Sequence, residues 1–367
     1  MTKEEPAHKR GLIIAALAVV MLLVGVAIGV AISPRYAPET TTTVYTSITH
    51  VVTTKEPVRI SVVDALGREV VFEGAPRRVV SLAPSITEIL FALGLGDRVV
   101  GVTSFCNYPP EVPKLVSEGR ISVIGGFWNP DLEKIVSLRP DVVIGSAGTR
   151  AHLQLKDPLE GAGIKVVYVY GNEAGNFYDV VRDIRTIAKI FGVEETAEKL
   201  VSELEREIEN VVSTIANTTS GSTKPKVLVL LGPPSFGLYS AGGNTFIGWI
   251  ISAVGGINIA GKFSGWPILD YEYILSNNPD IIVVSAMGAS YAELAEEIGA
   301  TPLAETKAYR EGRVYLVDQE ANDVLMRPGP RIASAVRLMA SILYPELFGE
   351  PKIPVVYKVV EFVKPSG

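Results

Sequence analysis

Cysteine is almost missing from these 367 residues: Cys106 stands alone, beside three histidines, His8, His50 and His152. A single thiol closes no internal disulfide, and so thin a stock of soft ligands excludes zinc-finger, iron–sulfur and disulfide-scaffold designs. No metal site of the protein's own is expected. Excess positive charge is missing too. Lysine and arginine number 34 against 40 aspartates and glutamates, a net charge of −6, whereas a nucleic-acid binder needs cations to displace counterions from phosphate. Nor does a nucleophile–base–orienter set stand out, so no catalytic residue is expected and His152 reads as an ordinary surface histidine. The run Gly256 to Lys262 fits most of a phosphate loop. Phe263 stands where its magnesium-binding hydroxyl should be, however, and a helical run precedes it where a strand should. What the chain has in plenty is apolar material. Hydrophobic residues make up 47% and charged ones 20%, enough for packed cores, and the length suits about two domains.

Residues 11–32 carry no charge. As a helix they would extend about 33 Å, enough to cross a hydrocarbon core of about 30 Å. Lys3, Lys9 and Arg10 precede the run, so the expectation is a cytoplasmic tail (1–10) and a transmembrane anchor or signal segment (11–32), with everything beyond outside the cell. The apolar run exceeds the usual signal-peptide core, which favours the uncleaved, single-pass anchor. Residues 33–57 form a Thr/Ser-rich stalk. Asn217-Thr218-Thr219 is an N-glycosylation acceptor pattern in a second hydroxyl-rich patch, residues 217–225.

From residue 58, short apolar strand patterns alternate with helical ones, which indicates an α/β fold with mostly parallel sheets. A hairpin turning at Leu66-Gly67 comes first. Ser85 to Glu88 has capping-box spacing, and Asn129-Pro130 is read as the cap and first-turn proline of a helix over 131–138. The most telling feature is a repeat. Phe127, Asp131, Glu133 and Pro140-Asp141, then an apolar strand, recur at one constant spacing as Trp266, Asp270, Glu272 and Pro279-Asp280. The repeat implies two lobes of similar construction, an N-terminal lobe (58–176) and a C-terminal lobe (226–348). Between them an inter-lobe helical segment (177–216), broken near Gly192, carries a stripe of Leu200, Leu204, Ile208, Val211, Val212 and Ile215. A long rigid helix joining two lobes allows only a modest change of gap. The tail, 349–367, alternates in a way that suggests an added edge strand.

Two stretches, Val62-Val63-Asp64-Ala65-Leu66-Gly67-Arg68-Glu69-Val70 and Arg78 to Glu88, resemble the opening of substrate-binding proteins of ABC importers for cobalamin, siderophores and haem. Val100-Gly101-Val102-Thr103, Tyr108-Pro109-Pro110, both Pro-Asp units and Arg327-Pro328-Gly329-Pro330-Arg331 agree with that family, and the likeness runs in order from residue 58 to 348, nearest to the cobalamin branch.

The resemblance implies a ligand held between the lobes. It assigns the cleft aromatics to Phe105, Phe127, Tyr239 and Trp266, with Tyr108 and Trp128 adding to the walls, and a polar pair to Asp323 and Arg327. The family carries tyrosine where Phe105 stands and tryptophan where Phe127 stands. Glu133 and Glu272 correspond to lobe-tip carboxylates that meet arginines of the dimeric permease. The implied function is an extracytoplasmic binding component that captures a corrinoid or iron chelate and delivers it to the permease and its ATPase subunits, without covalent chemistry and without a cofactor. The alternative is a metallocofactor-processing enzyme or a cell-surface sensor on the same two-lobed frame.

Overall fold

The computed structural model describes residues 59–351, except 220 and 222, together with 356–359. The anchor and stalk expected at the N-terminus lie outside these residues. None of the described helices is long and apolar enough to cross a membrane.

The chain opens with the expected hairpin. β1 (Ile60–Val63) and β2 (Glu69–Phe72) pair antiparallel. Asp64 closes the turn by accepting from the backbone of Leu66 and Arg68, both at 3.0 Å, and Gly67 supplies the positive φ the turn requires. The first lobe is then built on β3 (Val79–Ser81), β4 (Val99–Val102), β5 (Ser122–Val123), β6 (Val142–Ser146) and β7 (Lys165–Val169), all parallel in the order β5-β4-β3-β6-β7. Val79, Val80, Val142 and Val143 are fully buried, as strands covered on both faces must be.

The second lobe repeats the plan. β8 (Lys226–Leu230), β9 (Ile257–Asn258), β10 (Ile281–Ser285), β11 (Val314–Val317) and β12 (Val356–Lys358) form a sheet ordered β12-β11-β10-β8-β9. Only β12 runs antiparallel, which makes the tail the added edge strand read from its alternation.

The repeat holds down to single atoms. Asp131 caps the helix Leu132–Ser137 by accepting from Lys134 N, and Asp270 caps Tyr271–Asn277 by accepting from Tyr273 N. Asp141 accepts from Arg77 and Arg78 N, Asp280 from Lys226 N, each carboxylate tying the start of its sheet to the helix–strand turn. At matched positions Arg139 and Asn278 both take positive φ, 47° and 45°.

The inter-lobe segment is two helices, Phe177–Phe191 and Glu194–Thr218, separated by Gly192 in the left-handed region. Leu204, Ile208, Val211 and Ile215 are buried, and the longer helix packs on Phe177–Phe191, which itself lies against β1 beside the first lobe, and on Ile332–Leu343 of the second. One hydrophobic cluster therefore runs from Val180 and Ile184 through Leu204 and Ile208 to Val336 and Met339, binding both lobes to the same rod. Burial of that kind stabilises at roughly 25 cal/mol per Å² of apolar surface.

Four sequence expectations need correction. The helix cap after Phe127 is Asp131, not Asn129, because the aspartate sits at the position from which a carboxylate reaches the N–H of the third helical residue. The Ser85–Glu88 capping box does not form: the helix Pro84–Ala92 starts two residues earlier, with Ala83 at its cap, and Glu88 is drawn off to two arginines. The long helix runs on through Thr218, so Asn217 sits exposed in its last turn and not in a loop. Lastly, His152 is not on the surface but fully buried.

Candidate ligand-binding site

In parallel sheets with helices on both faces, side chains just past the carboxyl ends of the strands share one crevice. Here both sheets turn those ends to the same cavity of about 370 Å³. Phe105 follows β4, Phe127 and Trp128 follow β5, and Ser85 follows β3. From the second lobe come Met287, after β10, and Asn322, Asp323, Met326 and Arg327, after β11.

Exposure separates the roles of the aromatics. Trp128 is 69% exposed and Phe105 53%, both on the cavity wall, while Phe127 is only 6% exposed. Phe127 lies edge-on beneath Trp128, ring centres 4.5 Å apart, and edge-on to His152 at 4.8 Å. Phe127 is the buried prop and Trp128 the exposed face on the cavity wall. His152 completes the support. Ser146 N donates to Nδ1, so the proton is on Nε2, which donates to the Phe127 carbonyl at 3.0 Å. Burial holds this imidazole neutral, its pKa lowered to about 4.

The Phe105 loop is pinned from both sides. Underneath, the Cys106 thiol lies 3.2 Å from the hydroxyls of both Thr87 and Thr103, and burial pushes that thiol's pKa up. Across the cleft, Arg327 spends its guanidinium on the first lobe: Nη1 donates to Asn107 Oδ1 and Glu88 Oε1, and Nη2 to the Phe105 carbonyl at 3.0 Å. Nη2 also pairs with Asp323 at 2.9 Å. Asp323 in turn accepts from Asn107 and Gln319, and Arg331 makes a two-pronged contact with Glu88. Arg327, Glu88 and Asp323 are each nine-tenths buried or more, so this is a desolvated network sewing the lobes together.

The structure thus brings Phe105, Phe127, Trp128, Asp323 and Arg327 together at one cavity. Tyr108 does not join them: its ring lies under the Arg331 guanidinium, 4.1 Å away, and lines a separate groove of about 750 Å³ with Glu111 and Lys114. Tyr239 and Trp266 sit side by side on the second lobe, where Tyr239 bridges Ile268 and Ser240 N donates to Pro267 O. They are 43% and 39% exposed but lie outside the 370 Å³ cavity.

Met287 and Phe236 are absent from the sequence-based set. Met287 is 60% exposed with φ of 48°, and its sulfur lies where a Cβ on Gly232 would approach to 3.0 Å. Phe236, 65% exposed, borders the same glycine. Neither sequence motif nor period marks them. Glu88, Asn107, Gln319 and Arg331 were equally illegible as partners of Arg327, since long-range ion pairs leave no local pattern.

Among the described residues no group of three or more histidine, cysteine, aspartate or glutamate side chains is placed to hold a metal. Glu133 and Glu272 are exposed in the first turns of their helices, with no ion-pair partner among the described residues.

Two matched lobes, one rod and one shared crevice are the architecture of a known family, whose model, the periplasmic binding protein, matches residues 79–321. The chain belongs to that family. It is 34% identical over 296 residues to an uncharacterized ABC transporter substrate-binding lipoprotein, YvrC, of Bacillus subtilis, covering 79% of this chain and 87% of that one. A cobalamin-binding protein of Halobacterium salinarum is 31% identical over 288 residues, 77% of this chain and 73% of that one. Among solved structures, the periplasmic heme-binding protein RhuT of Roseiflexus sp. RS-1, in apo form, superposes with a TM-score of 0.64 at 29% identity, covering 74% of this chain and 98% of that chain. These relatives are binding proteins and not enzymes, so the chain is a binding protein and the enzyme alternative falls away.

Proposed function

We propose that this chain is the extracytoplasmic substrate-binding component of an ABC importer for a flat metal chelate, a corrinoid or an iron chelate such as haem, tethered to the cell membrane by the single apolar segment 11–32. The observation that carries the reading is the cavity wall. Phe105, Trp128 and Met287 stand half or more exposed around one crevice, and large apolar side chains left in water at one place mark a binding surface. A planar macrocycle stacks on such faces. The polar rim, Asp323 with Arg327, is already satisfied within the protein, so the ligand meets a preformed floor. The relatives named for cobalamin and heme bind ligands of this class.

Delivery follows from the lobe tips. Glu133 and Glu272 occupy matched, exposed positions, one per lobe, where an arginine-bearing permease dimer engages both at once while the ATPase subunits drive release. Tyr239 and Trp266 extend the second lobe's wall for a ligand larger than the 370 Å³ cavity. Tyr108 lies on the far side of the latch and reaches the ligand only through the loop it shares with Phe105. An N-glycan on Asn217 would project from the end of the long helix, clear of the cavity lining. Calorimetric titration of the full chain with cyanocobalamin, dicyanocobinamide, haemin and a ferric siderophore tests the reading. Saturable one-to-one binding of at least one is expected, and failure of all four contradicts it.

A further inference from the structure

The order β5-β4-β3-β6-β7 has its switch point at β3: the chain leaves β3 towards β4 and later returns on the other side as β6. Ligands of open α/β sheets lie in the crevice beyond the carboxyl ends of the strands at such a point. The nine-residue helix Pro84–Ala92 comes directly after β3, and its first turn is bare. Pro84 has no N–H, Ala83 at the cap offers no side-chain acceptor, and the N–H groups of Ser85 and Ile86 meet no acceptor among the described residues. A second observation singles out this end. Ser85 is 2% exposed and lines the cavity, and its Oγ has no hydrogen-bond partner among the described residues. A buried hydroxyl left unpaired carries a desolvation cost that a hydrogen-bonding occupant relieves.

The facing lobe adds a donor. Asn322 Oδ1 accepts from the Ser285 hydroxyl at 2.6 Å, which leaves the Asn322 NH₂ as a donor on the same cavity wall. The full charges nearby cancel, Glu88 and Asp323 against Arg327 and Arg331, so the partial positive charge of the helix terminus stands uncompensated.

We propose that this corner is an anion subsite. The Ser85 hydroxyl and the free Ser85 N–H at the start of its helix, with the Asn322 amide opposite, take a carboxylate or phosphodiester oxygen on the rim of the bound chelate. The inference rests on the chelate-binding reading and narrows it to ligands with a negatively charged edge group.

The test compares haemin with its dimethyl ester, and cyanocobalamin with dicyanocobinamide, which lacks the phosphodiester, on the full chain and on Ser85→Ala and Ser85→Asp. In whichever pair binds, the anionic member is expected to bind about tenfold more tightly. Ser85→Ala closes that gap without lowering the unfolding temperature, because it removes an orphaned hydroxyl. Ser85→Asp, whose carboxylate the helix N-terminus stabilises, weakens the anionic member selectively. Equal affinities within the pair, or equal weakening of both members by Ser85→Ala, overturn the subsite while leaving chelate binding intact. No binding of any of the four to the wild-type chain overturns the subsite, and a ferric siderophore that also fails to bind overturns the chelate-binding reading with it.

Discussion

Arg327 holds the backbone of Phe105 from the opposite lobe: Nη2 of its guanidinium donates to the Phe105 carbonyl at 3.0 Å. One side chain thereby fixes an aromatic of the cavity wall and closes the seam between lobes, because the same guanidinium also meets Glu88, Asn107 and Asp323. Removing one partner of a buried ion pair leaves the others charged and unpaired. Arg327→Ala should therefore destabilise by about 3–5 kcal/mol and weaken chelate binding, read by urea unfolding and calorimetry. Arg327→Lys should restore little, since one ammonium cannot span four acceptors in a planar fork.

Trp128 and Phe127 are adjacent in sequence and opposite in consequence. Trp128→Ala should lower chelate affinity tenfold or more while moving stability by about 0.5 kcal/mol or less, because the indole stands in solvent. Phe127→Ala should cost about 3–5 kcal/mol of stability, as a buried ring leaves a cavity. Parallel unfolding and binding curves for the two variants check the assignment of prop and surface.

His152 titrates well below its free value, at about 4 against 6.5. Between those values the unfolded chain binds a proton that the folded chain refuses. The contribution of the neutral imidazole is thus fully present above pH 6.5 and is lost as pH falls towards 4. The difference is on the order of 3 kcal/mol. Unfolding free energies measured at pH 7 and pH 5 should fall more steeply in the wild-type chain than in His152→Gln, which keeps a hydrogen-bonding side chain and cannot ionise. Equal slopes would show that the imidazole takes up its proton in the fold as readily as in the unfolded chain.

Glu133→Lys with Glu272→Lys should leave folding and chelate affinity unchanged, since both side chains are exposed and unpaired among the described residues. Uptake in a reconstituted permease system should drop at least tenfold. Unchanged uptake would remove the docking role from both.

The two-lobed plan was legible because it is written in local patterns: apolar strand runs, a helical stripe, and a repeat in which Asp131 with Asp270 and Asp141 with Asp280 do the same backbone work twice. Phe105, Trp128, Asp323 and Arg327 were legible through family likeness, and the structure gathers them at one cavity. What stayed hidden depends on contacts distant in sequence. Glu88 looked like half of a capping box, and only the approach of Arg327 and Arg331 turns it into a latch residue. His152 looked like surface because a lone polar residue carries no sign of the Ser146 N–H and Phe127 carbonyl that satisfy it in the core. Met287 and Phe236 gain their place only once β8 and β10 lie side by side.

Whether the crevice between the lobes holds one flat chelate against exposed aromatic faces can be read directly from fluorescence. The chain has three tryptophans, and replacing Trp249, which stacks on Phe177, by phenylalanine leaves Trp128 and Trp266 as the reporters. Titrating that variant with cyanocobalamin and with haemin should quench its fluorescence, saturating at one ligand per chain, and Trp128→Phe in the same background should remove most of the signal. Saturable binding that leaves both reporters unquenched would place the ligand elsewhere and contradict the account.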